Sequence, residues 1–342
     1  MGAPVEFMSL AEIKKTFGPE GIQNYAMAYD RLGAITDDTQ MTLFTAEGLL
    51  RAYVRGNLRG IVSITSVVSH AYLRWLWTQG LDSEAIPKPS EVRGWLWSVK
   101  ELHSQRAPGR TCISALKALK SFTDKRADND SKGAGGIMRV APVAMMFANQ
   151  PDEASDVFHL GKEAAWLTHG HPSGYLSAAV FAVILHAILC GYSLRPSIDR
   201  ARQFLLQETD HEETLAALDK AVQLVDSRIQ PNEALPLLGE AWVGEEALGV
   251  SIYCAFMAEN FRDGVLMAVN HDGDSDTTGS LVGQLLGAVH GDDAIPKEWL
   301  SSLELRETIE QLAHDLNEHE RWDLDYMSDE YNTDVVERYP GG

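Results

Sequence analysis

The sequence predicts an all-α chain, folded as a compact helical bundle without coiled-coil character. Three observations carry this. Apolar residues recur at helical spacing in eight segments, Gly and Pro clusters punctuate them, and no run alternates in the manner of half-buried strands. The segments are 39–55, 61–79, 110–121, 174–190, 198–208, 212–227, 245–259 and 277–290. The first begins behind Thr36-Asp37-Asp38-Thr39, residue types that commonly open helices. The second carries Trp75 and Trp77, which with Trp95 and Trp97 form two Trp-x-Trp pairs expected in the core. A break at Ile86-Pro87-Lys88-Pro89 follows, and Ala107-Pro108-Gly109 opens the third. The fourth follows His169-Gly170-His171-Pro172, and the next three each show one apolar face. The eighth follows Asp272-Gly273-Asp274-Ser275-Asp276-Thr277 and carries Gly279, Gly283, Gly287 and Gly291 on one face. An interior Gly costs roughly 1 kcal/mol against Ala, so close approach of another helix along this stripe is expected.

The 342 residues suit one large core, with no internal repeat. Residues 1–316 read as the helical domain. Residues 317–342 read as an acidic tail that mixes Trp322, Tyr326, Tyr331 and Tyr339 with carboxylates. A net charge of −20 argues against a nucleic-acid partner, since such proteins carry a basic footprint. No apolar run reads as a membrane span, and the start does not read as a signal peptide, so no membrane association is expected. Cys112, Cys190 and Cys254 are scattered without metal-ligand spacing, which fits a reducing, cytoplasmic setting.

The two acidic clusters carry the chemistry. Crowded carboxylates repel one another, and a hard divalent cation such as Mg²⁺ relieves this with oxygen ligands. For the first cluster alone, capping is the reading to expect ahead of metal binding. The second has three aspartates at alternate positions, more than one helix start needs. It is not an EF-hand, because Thr277 stands where that loop needs Gly and Gly283 where it needs a bidentate Glu. His169 and His171 lack the further ligands a zinc site requires.

Six stretches, in order, resemble the motifs of the ADP-ribosylglycohydrolases. They are 2–7, 33–41, 106–112, Ser131-Lys132-Gly133-Ala134-Gly135-Gly136 with the Ile137-Met138-Arg139 that follows, 167–172, and 270–280. The resemblance covers nearly the whole chain and implies an all-α orthogonal bundle with a binuclear site, usually Mg²⁺ and in some relatives Mn²⁺. It implies metal ligands at Thr36, Asp37, Asp38, Asp274, Asp276 and Thr277, with Asp276 bridging and Asp272 a supporting residue or cap. It implies hydrolysis at the anomeric carbon of the distal ribose, with Glu6, Asp37 or Asp38 handling protons. It places the substrate diphosphate against Ser131, Lys132, Gly133, Gly135 and Gly136, with His171 lining the pocket; for His169 an ordinary loop or helix-cap role stays open beside a pocket role. The glycines are expected to supply positive φ or close backbone approach. The implied partner is an ADP-ribosylated protein, most often at arginine, or a small ADP-ribosyl compound. Serine and O-acetyl linkages also occur in the family. An inactive ADP-ribose binder or toxin-neutralising protein, or a nucleotide hydrolase, are the alternatives. Relatives usually carry a helix before the motif matched by Pro4-Val5-Glu6-Phe7, and this sequence begins within that region.

Overall fold

A computed structural model describes residues 1–86, 94–123, 126–148 and 150–341. The expected break at Pro87–Pro89 lies outside the described residues. Sixteen α-helices occur among the described residues: α1 (Leu10–Phe17), α2 (Asp37–Arg59), α3 (Ile64–Thr78), α4 (Arg110–Ala118), α5 (Ala141–Met146), α6 (Ala154–Trp166), α7 (Pro172–Leu189), α8 (Leu194–Leu205), α9 (Glu212–Asp226), α10 (Pro231–Leu238), α11 (Gly244–Met257), α12 (Phe261–Val269), α13 (Ser275–His290), α14 (Lys297–Ser302), α15 (Arg306–Glu318) and α16 (Thr333–Arg338). All eight expected helices are present. A two-stranded hairpin that the sequence did not signal, β1 (Met27–Ala28) and β2 (Arg31–Leu32), turns at Tyr29 and Asp30, both at positive φ.

Helix α7 lies at the centre, against α5, α6, α8, α11 and α13. Its apolar side chains run all round, and a helix of that kind is stable in water only when buried. It is long and apolar enough to cross a membrane, contrary to the sequence expectation, yet 89% of its 18-residue window is buried inside the fold. It is therefore accounted for as a core helix. Trp75 is fully buried and donates its indole N–H to Gln40 Oε1 at 3.0 Å, in keeping with core packing.

Helices α2 and α13 pack against each other, which brings their N-termini together. Arg106 and Glu304 set the entry to α2. Glu304 is fully buried and accepts hydrogen bonds from Ile35 N (3.0 Å) and Arg106 Nη2 (3.0 Å), while Arg106 O accepts from Asp37 N (3.0 Å). The entry to α13 turns at Gly273, whose φ of +116° suits glycine, and Asp274 N then donates to Glu240 O at 2.8 Å.

The glycine stripe on α13 is not uniform. A Cβ on Gly279 would lie 2.6 Å from Val269 Cγ1, so α12 does approach closely there. At Gly283 the nearest atoms are Val265 and Phe261, at 3.9 and 4.0 Å, which is ordinary contact. Gly291 is the C-cap, at φ +79°. The expected close approach therefore holds at Gly279 alone. Gly279→Leu should destabilise by ~1–3 kcal/mol through overpacking, whereas Gly283→Ala should be neutral or stabilising because Ala is the better helix former. Thermal melts of the two variants check this, and a lowered melting temperature for Gly283→Ala would contradict it.

The C-terminal segment is docked. Tyr339 is fully buried, donates to Asp315 Oδ2 at 2.5 Å and stacks on Trp322.

Candidate active site

Asp37 and Asp38 are the first two residues of α2, and Asp276 lies in the first turn of α13. Helix N-termini favour negative charge, which offsets part of the cost of burying these groups. Each of the three offers one carboxylate oxygen to a cluster whose atoms lie within 4.8 Å of one another. Asp274 caps α13, accepting from Thr277 N at 3.4 Å. Thr36 occupies the N-cap position of α2 but makes no side-chain cap, so the capping explanation fails for its hydroxyl.

Several buried oxygens in this cluster have no hydrogen-bond partner: Glu6 Oε2, Asp38 Oδ1, and both Oδ atoms of Asp276. An unpaired buried carboxylate is costly, and a cation bound between α2 and α13 would satisfy all the aspartate oxygens at once. The donor set, all oxygen with carboxylates predominating, suits Mg²⁺ or Mn²⁺ rather than a soft metal. The residues present therefore fit a metal site.

Four of these carboxyls favour their protonated forms. Burial, then the charge of Asp276, raises Glu6 to about 9 and Asp37 to about 8. The same causes hold Asp38 and Asp274 well above the usual carboxyl range. Because these folded-state values lie above the unfolded ones, the cation-free protein should lose stability as pH rises from the ordinary carboxyl range towards 8 or 9. A cation must displace the protons, so apparent Mn²⁺ affinity should rise between about pH 6 and pH 8. Calorimetric titration at the two pH values checks this, and a pH-independent affinity would contradict it.

The cluster opens into a cavity of about 700 Å³, within the usual range for a small-molecule site. Glu6, Asp37, Asp38, Asp274, Asp276 and Thr277 line one part of it, and Gly133, Ala134, Gly135 and His169 another. A second cavity, about 330 Å³, reaches the same Asp38 and Asp276 alongside Thr36, Gly279 and Gly283. The glycine loop is fixed to the segment before α11: Ala134 N donates to Trp242 O (3.0 Å), and Gly244 N to Lys132 O (2.8 Å). It is tied to α4 through Thr111 Oγ1 and Ser131 Oγ, 2.9 Å apart.

A family profile for ADP-ribosylglycohydrolases matches residues 1–325. The chain belongs to the ADP-ribosylglycohydrolase family. It is 23% identical over 309 residues to the ADP-ribosyl-(dinitrogen reductase) glycohydrolase of Rhodospirillum rubrum, covering 90% of this chain and 86% of that one. It is 25% identical over 257 residues to ADP-ribosylhydrolase ARH3 of Gallus gallus, covering 62% of this chain and 67% of that one. A solved structure described as an ADP-ribosylglycohydrolase-related protein complex superposes with a TM-score of 0.57 at 25% identity, covering 92% of this chain and 94% of the other. The all-α bundle is thus the ADP-ribosylglycohydrolase fold, and the chain is a hydrolase of ADP-ribosyl linkages.

Within this ADP-ribosylglycohydrolase the motif residues divide. Glu6, Asp37, Asp38, Asp274, Asp276, Thr277, Gly133 and Gly135 line the larger cavity; Ser131, Lys132, Gly136 and His171 do not. Lys132 turns instead to Glu213, 2.9 Å away, and to Glu245, and these hydrogen bonds raise its pKa. His171 caps α7, its Nδ1 accepting from Ser173 N at 3.1 Å. His169 takes the place expected of His171: it is buried, bonded through Nδ1 to Thr168 Oγ1 at 2.8 Å, and held neutral because burial, helped by Arg139, pushes its pKa down to about 3. The loop glycines carry no positive φ, so that expectation is corrected. What Gly135 supplies is room, since a Cβ there would lie 2.8 Å from Cys112 Sγ and 3.1 Å from His169 Cε1. Asp272 acts as a cap on α1, its Oδ1 accepting from Leu10 N at 2.8 Å.

Sequence reasoning missed three side chains in the cavity wall. Phe7 (73% exposed) and Trp242 (40% exposed) stack at 6.0 Å, and Arg110 stands at the start of α4. Phe7 and Arg110 both lie within matched motif stretches, 2–7 and 106–112, which were the available sequence signals.

Proposed function

We propose that the protein is a Mg²⁺-dependent hydrolase that removes ADP-ribose from modified arginine side chains. Two ions are proposed, with Mn²⁺ as the alternative, held by Thr36, Asp37, Asp38, Asp274, Asp276 and Thr277. The observation that carries this is the set of unpartnered, buried carboxylate oxygens on Glu6, Asp38 and Asp276 beside one ligand-sized cavity. Bound there, the metal supplies Lewis-acid polarisation and a water of lowered pKa.

The chain's own groups do the rest. Burial favours the protonated form of Glu6, so it can give a proton to the departing nitrogen as the bond from the anomeric carbon breaks. A water oxygen then bonds to that carbon, and its proton returns to Glu6. Positive charge builds on the sugar ring as the bond lengthens, and the carboxylates of Asp37 and Asp38 would stabilise it electrostatically. Asp37 is oriented by Gly109 N, which donates to its Oδ2 at 3.1 Å. Gly133 and Gly135 leave space for the diphosphate beside His169.

Arginine is favoured as acceptor by the exposed aromatic faces of Phe7 and Trp242 at the cavity wall, since a guanidinium stacks well on such faces. The test is release of free ADP-ribose from arginine-, serine- and O-acetyl-linked substrates with Mg²⁺ present. The arginine linkage should be cleaved with the highest kcat/KM. A preference for serine or O-acetyl linkages would refute the acceptor assignment, and release from none of the three would refute the function.

A further inference from the structure

An ADP-ribose ligand brings two phosphate charges into a cavity walled by carboxylates, and the chain as a whole carries −20. A protein cation at the diphosphate would add to the positive charge that the proposed Mg²⁺ ions bring to the carboxylates. The lysine of the glycine loop does not provide it, because Lys132 is engaged with Glu213 and Glu245 away from the cavity. Arg110 is the one Lys or Arg side chain among the residues lining that cavity.

We propose that Arg110 is the specificity-determining cation that binds the diphosphate of ADP-ribose. The proposal rests on the ADP-ribosyl hydrolase assignment and adds a residue to it. Four observations converge on Arg110. It is exposed at the wall, on the same cavity as Gly133 and Gly135. Its guanidinium has no ion-pair partner among the described residues. It opens α4, a nine-residue helix whose N-cap, Gly109, supplies no side-chain cap, so the first backbone N–H groups and the helix dipole reinforce an anion there. The α4 N-terminus is also held in register with the glycine loop by the Thr111–Ser131 hydroxyl pair. The same cavity contains the unpartnered oxygens of Glu6 and Asp276, both residues more than nine-tenths buried, where the proposed Mg²⁺ ions would lie. The distal ribose goes to the carboxylates and the diphosphate to Arg110, whose planar fork matches phosphate oxygens in a bidentate way that a lysine does not.

The test is calorimetric titration of free ADP-ribose into the Mg²⁺-loaded wild type, Arg110→Ala and Arg110→Lys, with titrations repeated at higher KCl. Arg110→Ala should bind roughly 10- to 100-fold more weakly, the range for a lost charge-assisted hydrogen bond. Its KM should rise by a similar factor with kcat within about threefold, and its affinity should depend less steeply on salt than that of the wild type. Arg110→Lys should fall between the two. Arg110→Ala binding within about twofold of wild type, or an unchanged salt slope, would overturn the proposal while leaving the hydrolase assignment in place. A wild-type protein that does not bind ADP-ribose would overturn both.

Discussion

Asp276→Ala should leave the protein folded and remove its ADP-ribosyl hydrolase activity. Both Oδ atoms of Asp276 are buried without a partner, so truncation forfeits no hydrogen bond. The charge of Asp276 also raises the pKa of Glu6, Asp37, Asp38 and Asp274, so its loss relieves repulsion in the cluster. The melting temperature without metal should hold or rise. Activity should fall on the order of 10²-fold or more, beyond the 10–100-fold typical of losing a residue that merely supports a ligand. Mn²⁺ affinity should fall with it. Near-normal turnover by the purified variant would show that Asp276 does not bridge the metals.

Glu6→Gln should lower kcat by ~10²–10⁴-fold, the usual worth of a positioned proton carrier. The substitution keeps the shape of the side chain and removes its acidic, transferable proton. The melting temperature should stay near that of the wild type, and Mn²⁺ affinity should change little, because Glu6 is not among the proposed ligands. Retention of more than about a tenth of wild-type kcat would move the proton role to Asp37 or Asp38.

The long helices and the two acidic clusters were legible because each is local. A helix such as α2 announces itself by apolar spacing over many residues, and the aspartates at its start are contiguous in the chain. Helices α1, α10, α14 and α16 span eight residues or fewer, too few turns to establish a period. Helices α6 and α15 have the length, and both begin within the region read as helical, but neither was among the eight segments with a clear apolar face. The cavity wall was partly legible. Family motifs located the glycine loop, but the direction each side chain takes depends on partners from distant segments. Lys132 is drawn off by Glu213 and Glu245, residues no motif connects to it. His169 and His171 are two positions apart, and only the start of α7, which uses His171 as its cap, decides which one faces the cavity. The pairing of Phe7 with Trp242 joins residues 235 positions apart, which local pattern does not reveal. The glycine stripe read as one feature and proved to be three, because helix spacing says which residues share a face but not what lies opposite.

On the proposed mechanism, hydrolysis requires a metal held between the N-termini of α2 and α13. The most direct measurement strips the protein with EDTA, removes the chelator, and titrates Mg²⁺ back while following free ADP-ribose released from an arginine-linked substrate. The stripped protein should be inactive, and activity should return in step with metal binding, saturating at two ions per chain. Full turnover by the stripped protein, or metal binding that restores nothing, would contradict the account.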